Sequence, residues 1–404
     1  MARLLSGPPL TAGAESYGAH QQRFGALPAA AARSLIGRLE ASHLIGRGGA
    51  GFPVGRKWRA VADRANGKAV VLANGAEGEP LSLKDRTVMA ARPHLVIDGA
   101  VLAADAVGAD DIIFYVGAEH RAAEAAMRYA LAERAADLRG RARVVQAPRG
   151  YVAGEESAAV HFINAGDPRP TTTPPRPFER GVGGRPTLVQ NVESLAAAAL
   201  VARGDDAGTS LITLSGAVRR AGVREIALDA TLAEVAASAG GLARPVQAVL
   251  LGGYFGGWVD ITDLWARPLA PASLRARGHA FGCGVLSFLA EDSCGVEATA
   301  RIMGYLASQS ARQCGPCLFG LGAIDAACRR LAARSAQPDD LKRITRWGGE
   351  LAGRGACKHP DGATGLLRSA LGVFADDYAA HQRGRCVRGA PAAGRPGALA
   401  QAVA

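Results

Sequence analysis

Between Lys68 and Ala202, short apolar runs of strand type alternate with helix-length runs, and this alternation constrains the fold more than any other feature of the chain. Lys68 to Ala73 (Lys-Ala-Val-Val-Leu-Ala) reads as a buried strand, Asp111 to Val116 as a second and Ala142 to Gln146 as a third. Helical spacing fills the intervals, at His94 to Ala106 and Glu119 to Ala136, and an alanine-rich helix ends the region at Ala202. Strands joined by helical crossovers give an α/β fold with a mostly parallel, doubly wound sheet. In such sheets ligands sit beyond the carboxyl ends of the strands.

Two loops occupy that position. One is Asn74-Gly75-Ala76-Glu77-Gly78-Glu79-Pro80, with Lys84-Asp85-Arg86 behind it; the other is Tyr151-Val152-Ala153-Gly154-Glu155-Glu156. Both set paired acids beside glycines. Carboxylates there can accept hydrogen bonds from a ribityl or ribose hydroxyl or a flavin ring N–H, although either loop alone could be a solvated turn. Upstream lies Gly46-Arg47-Gly48-Gly49-Ala50-Gly51-Phe52-Pro53-Val54-Gly55-Arg56-Lys57-Trp58, with five glycines in ten positions. So bare a backbone lets a ligand approach peptide N–H groups, and a helix start with flanking cations makes a phosphate cradle. Gly46, Gly48 and Gly51 also match G-x-G-x-x-G, but that fingerprint needs a strand before it. Here Ala29 to Ile45 spaces Leu35, Leu39 and Leu44-Ile45 as a helix, so a standard dinucleotide motif is not expected. Glycines serving a tight turn are the plain alternative.

The rest of the chain divides by composition. Residues 1–28 read as a partly ordered wrap, Arg56 to Ala65 as a short helix, and Thr171 to Arg185 as an irregular loop. Gly204 to Gly208 marks a boundary. Beyond it Leu211–Leu214, Glu225–Leu228 and Val246–Leu250 read as strands and Thr231–Ser238 as a helix, a small β-grasp-like α+β module. From Ser293 the pattern turns helical, with Val296–Ser308, Leu318–Ala333, Pro338–Leu351 and Gly362–Gln382 forming a four-helix bundle. The expected domains are therefore 1–205, 206–278 and 279–388, with a disordered tail at 389–404.

The 49% apolar and 21% charged composition is that of a soluble globular protein, and the longest apolar run, Leu195 to Ala202, is too short to cross a bilayer. The N-terminus shows no compact apolar block, so no secretory signal is expected and the cytoplasm is. A net charge of +11 favours phosphate-bearing cofactors, acidic partners or nucleic acid. With aromatics at 5% and no basic–aromatic interleaving, nucleic acid is the weakest of these.

All seven cysteines (Cys283, Cys294, Cys314, Cys317, Cys328, Cys357 and Cys386) fall in the last third of the chain, a distribution that suits metal or redox chemistry rather than a disulfide framework. Cys314-Gly315-Pro316-Cys317 could be a redox dithiol, but a helix rather than a strand precedes it. Cys357 falls in the turn between the third and fourth helices, and an up-down bundle puts that turn at the same end as Cys314 and Cys317. Three converging thiolates favour an iron–sulfur cluster or zinc. His359 is the first choice for a fourth ligand, followed by Ser310, solvent or a partner chain. Cys294, Cys328 and Cys386 are expected to be inert thiols, Cys294 and Cys386 at the far end of the bundle.

With these motifs in view, the chain resembles the flavin- and NADH-binding subunit of respiratory complex I and its hydrogenase and formate dehydrogenase relatives, from about residue 15 to 385. The carriers are Gly46–Trp58, Asn74–Arg86, Tyr151–Glu156, Asn191-Val192-Glu193, and Cys314–Cys317 with Cys357. The resemblance implies a cofactor site built from Gly46 and Arg47 onward. The FMN phosphate would lie on Gly48, Gly49, Ala50 and Gly51, near Lys57 and Asn74. Glu77, Tyr151, Gly154, Glu155 and Asn191 would line the flavin, and Phe52, Glu79 and Glu156 would meet NAD(H). A [4Fe–4S] cluster, or [3Fe–4S], on Cys314, Cys317, Cys357 and His359 would pass electrons to a ferredoxin-like or membrane electron-transfer subunit. The chain itself would not insert in the membrane; it would be cytoplasmic or held peripherally on the inner face through a partner. No side chain need act as acid or base. The sequence also departs from that family: Ala311 stands where the first cluster cysteine belongs, Ala76 where the flavin loop has an acid, Ala60 where a second aromatic follows Lys-Trp, and Thr173 where a lysine precedes Pro174-Pro175. An FMN and iron–sulfur relay that binds no nicotinamide nucleotide is the alternative expectation. A membrane-bound ferredoxin:NAD oxidoreductase subunit shares the flavin-domain pattern but not the bundle.

Overall fold

The computed structural model describes residues 3–28 and 32–388; the start of the expected helix at Ala29 and the tail from 389 lie outside the described residues. The chain forms two compact units, one of Met1–Gly78, Leu83–Leu211 and Glu225–Ala227, the other of Glu79–Ser82, Ile212–Arg224 and Leu228–Ala404.

The first unit is built on four parallel strands, β1 (Ala69–Gly75), β2 (Ala109–Gly117), β3 (Ala142–Ala147) and β4 (Thr187–Asn191), in the order β3-β2-β1-β4. Val70 to Ala73 and Ile112 to Val116 are fully buried, which is why they read as continuous apolar runs rather than alternating ones. On one face Val70, Leu72, Ile113, Tyr115 and Val189 share a core with Ala159 and Val160 of helix Glu156–Ala165. Helices Pro93–Val107 and Val192–Ala202 pack together and also contact β1. Gly99 allows that approach, because a Cβ there would stand 2.0 Å from the carbonyl of Leu195. Within the partly ordered wrap expected before residue 29, Ser16 caps a helix at Tyr17–Phe24, its hydroxyl accepting from Ala19 N. The helix expected at Arg56 to Ala65 spans Val54–Ala62.

A second, mixed sheet holds β5 (Thr209–Gly216), β6 (Gly222–Ala227), β7 (Val246–Leu251), β8 (Gly257–Asp260) and β9 (Val285–Ala290), in the order β6-β5-β9-β7-β8. Strand β9 is the middle strand, parallel to β5 and antiparallel to β7. This sheet therefore runs past residue 278, with its central strand at Val285–Ala290. Thr231 and Glu234 form a capping box on helix Leu232–Ser238.

Helices Gly295–Ser308, Leu321–Ala332, Asp340–Leu351 and His359–Val373 each pack on the next, and the fourth returns to the first. The last helix does not run through to Gln382. It breaks at Phe374 (φ −111°, ψ 33°) and a short helix, Ala375–Gln382, follows. Gly372 stands two residues before the break, and the Phe374 ring lies 5.4 Å from that of Trp258 and fills the space where a Cβ on Gly295 would be, at 2.5 Å. Among the described residues no single helix is long and apolar enough to cross a membrane; one bent pair, Lys84–Ala91 with Pro93–Val107, reaches that length and composition.

Candidate functional site

The strand order of the first sheet reverses between β1 and β4, because the chain builds outward through β2 and β3 and then returns to the other flank of β1. Such a reversal leaves a crevice at the carboxyl ends of the two strands. Asn74 is next to last in β1 and Asn191 closes β4, and the two are partners in register across it. Asn191 also caps helix Val192–Ala202: its Oδ1 accepts from Glu193 N (3.0 Å) and Ser194 N (3.3 Å), while its Nδ2 donates to Asp85 Oδ2 (2.8 Å). Asn74 Nδ2 donates to Gly154 O at 2.8 Å and so ties the second acid loop to the first strand.

The glycine loop lies over the same strand ends. Its neck is closed by an antiparallel bridge between Ile45 and Pro53, with Gly46 N donating to Phe52 O (2.8 Å) and Val54 N to Leu44 O (2.9 Å). Gly49 (φ +107°) and Gly51 (φ +61°) hold left-handed conformations, with open space where a side chain would stand. A Cβ on Gly48 would come within 3.3 Å of the Asn191 Cβ, so the loop rests against that residue. Lys57, in the helix that follows, reaches Glu156 Oε2 at 2.8 Å; both are partly exposed. Gln190 Oε1 is buried with no hydrogen-bond partner among the described residues.

Several expected ligands are already engaged. Glu77, at φ +45°, accepts from Asp85 N (2.8 Å), Arg86 N (3.0 Å) and Arg86 Nε (2.9 Å), and so steadies the start of helix Lys84–Ala91. Glu155 caps the helix that follows it, its Oε2 accepting from Ser157 N and Ala158 N at 2.9 Å. Tyr151 to Gly154 form a single tight turn, against which Gly78 packs so closely that a Cβ would meet Tyr151 O at 2.8 Å. Phe52 stands 53% exposed on the loop. The Arg47 side chain turns inward: it is 2% exposed, donates to Thr209 O at 3.1 Å and lies 4.0 Å from Glu193. Its guanidinium therefore belongs to the frame rather than to the cradle. Glu79 falls in the second unit, where its Oε2 accepts from Tyr254 N at 2.8 Å.

Beneath the crevice is a charge cluster that motif reading passes over. Lys84 Nζ lies 2.6 Å from Asp85 Oδ1 and 2.9 Å from Glu193 Oε2, and all three side chains are buried. Burial works against the Lys84 ammonium, but Asp85, Glu193 and Glu77 outweigh it and raise its pKa. Burial likewise pushes the Asp85 carboxyl up, to about 7. The residues are plain in the sequence as Lys84-Asp85-Arg86 and Glu193, but no spacing rule joins positions so far apart.

In the bundle, Cys317 is buried at the start of a π-helical turn, Pro316–Gly320, its N donating to Cys314 O at 3.1 Å. Burial, with the neighbouring Cys314 and Cys357 sulfurs, pushes its thiol up to about 12, so both sulfurs lie in its surroundings. The residues expected to supply a fourth ligand lie as follows. His359 Nε2 lies 2.8 Å from Leu306 O, and its ring packs edge-on to Phe255 at 5.4 Å, so that nitrogen is held by the protein. Ser310 Oγ, one residue before Ala311, is buried without a partner among the described residues.

A bare-backbone cradle at a strand-order reversal, carried in one chain with a thiolate-bearing bundle, defines the class of flavin-nucleotide and iron–sulfur electron carriers. Residues 39–200 match the family model described as the Nuo51 FMN-binding domain, and residues 297–381 that of the NADH-ubiquinone oxidoreductase-F iron-sulfur binding region. The F 2 subunit of the NADH-quinone oxidoreductase of Rhizobium meliloti is 30% identical over 378 residues, which cover 87% of this chain and 90% of that one. The alpha subunit of the NAD-reducing hydrogenase HoxS of Cupriavidus necator is 31% identical over 341 residues, 76% of this chain and 54% of that one. Among solved structures, an NAD+-reducing [NiFe]-hydrogenase matches in its air-oxidized state with a TM-score of 0.79 at 26% identity, over 100% of this chain and 70% of that chain. In its H2-reduced state it matches with a TM-score of 0.79 at 27% identity, over 92% of this chain and 64% of that chain. The chain belongs to the family of NADH-quinone oxidoreductase F subunits.

Proposed function

We propose that this chain takes electrons from NADH at FMN held in the crevice between β1 and β4, and delivers them through an iron–sulfur cluster to a partner subunit. The observation that carries the reading is the Asn74–Asn191 pair under an open glycine loop, at the reversal of strand order in the sheet. The N–H groups of Gly48, Gly49, Ala50 and Gly51 would hold the phosphate and Lys57 its charge. Asn74, Glu77, Tyr151, Gly154, Glu155 and Asn191 would frame the flavin, and Phe52, Glu79 and Glu156 the nicotinamide nucleotide. FMN, when bound, takes two electrons from a nicotinamide and releases them one at a time, and the protein contributes position and electrostatics.

The bundle offers three thiolates of the four that a [4Fe–4S] cluster takes. Cys314, Cys317 and Cys357 would hold it, and the buried Ser310 hydroxyl stands beside the position that lacks a thiolate. Leu318 (52% exposed) and Phe319 (72% exposed) follow Cys317 directly and give an acceptor protein an apolar face close to the cluster.

Titrating anaerobic protein with NADH while recording its absorption and EPR spectra tests the reading. Bleaching of the flavin, with growth of a reduced-cluster signal, is expected. Flavin that dithionite reduces but NADH does not would remove the nicotinamide step. Lys57→Ala should weaken FMN binding about tenfold, the loss of one charge-assisted contact.

A further inference from the structure

Helix Gly295–Ser308 separates the Cys314–Cys317 turn from a second group of donors by about 20 Å of helix. At its start Cys294, His381 and Cys386 each offer one ligand atom, and the three atoms lie within 4.8 Å of one another. Cys294 is the N-cap of the helix, and its Sγ is 3.5 Å from Glu297 N and 3.3 Å from His381 Nε2. His381 is fully buried in the last turn of helix Ala375–Gln382, and its Nδ1 stands 2.9 Å from the carbonyl of Leu331. A carbonyl only accepts, so the proton sits on Nδ1 and Nε2 turns its lone pair toward the two sulfurs. That is the outer contact which orients a metal-binding imidazole and fixes its tautomer. Cys386 follows the helix and is partly exposed.

The spacing suits one ion. With metal–sulfur bonds of about 2.3 Å and metal–nitrogen bonds of about 2.0 Å, tetrahedral geometry sets sulfur and nitrogen roughly 3.6 Å apart and two sulfurs roughly 3.8 Å apart. A thiol–imidazole hydrogen bond would explain Cys294 beside His381. It would not explain a second sulfur at the same point. Two thiolates and an imidazole are a soft-to-borderline donor set with two negative charges, suited to a divalent ion of the zinc type.

We propose that Cys294, His381 and Cys386 form a mononuclear zinc site, separate from the iron–sulfur thiols, with water in the fourth position. The site clips the turn after the last helix to the beginning of the first helix of the bundle. It stands whether or not the flavin reading holds, because no residue of the crevice takes part.

Zinc and iron are measured together on the full chain purified anaerobically. About one zinc per chain is expected. It should disappear in Cys386→Ser and Cys294→Ser while iron stays, and persist in Cys314→Ser. The chain produced with cobalt(II) in place of zinc should show thiolate-to-cobalt charge transfer and the strong visible bands of a tetrahedral ion, absent from Cys386→Ser. Circular dichroism checks that the variants fold, and should both fail to fold, the cobalt spectrum of the unsubstituted chain decides. Three results would overturn the proposal: an unsubstituted chain that takes up neither metal in excess, zinc unchanged in both folded variants, or a Cys294–Cys386 disulfide in the anaerobic protein.

Discussion

Lys84 is the only cation in direct contact with the buried carboxylates of Asp85 and Glu193 among the described ion pairs, apart from Arg47 at 4.0 Å from Glu193. Replacing it with methionine leaves two buried acids without their cation, and breaking a buried pair in that way costs about 3–5 kcal/mol. Lys84→Met should therefore lower the melting temperature strongly, and adding Glu193→Gln should recover part of the loss; equal melting of the single and double variants would contradict the account. Asp98 offers a test against pH. It accepts from His20 Nε2 (2.8 Å) and Arg134 Nη1 (2.6 Å) and also pairs with Arg203. Burial alone would raise its pKa, but His20, Arg134 and Arg203 outweigh it and hold it at about 2. A carboxyl depressed in the folded state contributes stability above its unfolded value, near 4, and loses it as pH falls toward 2. Burial works against the His20 imidazolium, but Asp98 and Glu15 outweigh it and raise its pKa. Its share is therefore present below about 6.5 and fades as pH rises through the higher folded value. Thermal melting should thus be most favourable between about pH 4.5 and 6.5 for this network, and Asp98→Asn should flatten the acid side, worth about 2 kcal/mol. Neither network is legible in the sequence, since Asp98, Arg134 and Arg203 have no common spacing and meet only through tertiary packing.

At the scale of elements, Glu155 and Asn191 serve two purposes that the sequence presents as one. The family resemblance assigns both to the flavin; both also hold a helix start, Glu155 for Glu156–Ala165 and Asn191 for Val192–Ala202. The two roles separate by substitution. Glu155→Ala should cost about 1 kcal/mol of stability through the lost cap, whereas Glu155→Gln keeps an accepting oxygen and should leave the melting temperature nearly unchanged. If Glu155→Gln nonetheless weakens FMN binding, the charge itself serves the flavin; unchanged affinity in both variants would leave Glu155 a cap alone. Strands β1 to β3 are legible because glycine or loop residues bound each apolar run. Strand β4 is not, because Asn191 ends the strand and caps the next helix with no break between them. Strand β9, Val-Leu-Ser-Phe-Leu-Ala, is buried at all six positions and shows no alternation by which to tell it from a helix. The break at Phe374 follows Gly372, a single glycine too weak a mark to read as a helix end, and Phe374 there packs on Trp258 and Gly295.

For the molecule as a whole, connectivity is the most legible property of the bundle and ligand identity the least. An up-down path puts Cys314, Cys317 and Cys357 at one end, and in the structure Cys314 and Cys357 are near enough to Cys317 to perturb its thiol. The same path puts Cys294 and Cys386 at the other end, but the inward turn of His381 between them follows from its bond to Leu331 and not from helical spacing. His359 has its Nε2 on Leu306 O, so any part it plays at the cluster falls to its Nδ1. That leaves Ala311 as the position to change. It lies in the irregular stretch between helix Gly295–Ser308 and Cys314, beside the buried Ser310 hydroxyl, and carries no donor atom of its own. Ala311→Cys restores the C-x-x-C-x-x-C run at a site that already accepts a β-carbon. If three thiolates hold the native cluster, the variant should retain about four irons per chain through aerobic handling where the parent falls to about three. The EPR spectrum of the reduced variant should be that of a four-thiolate cluster. Ser310→Ala, which should loosen iron in the parent, should have no effect in the Ala311→Cys background, where a thiolate has taken over the fourth position. Equal iron retention in the parent and in Ala311→Cys, with identical EPR spectra, would mean that the fourth ligand already comes from elsewhere.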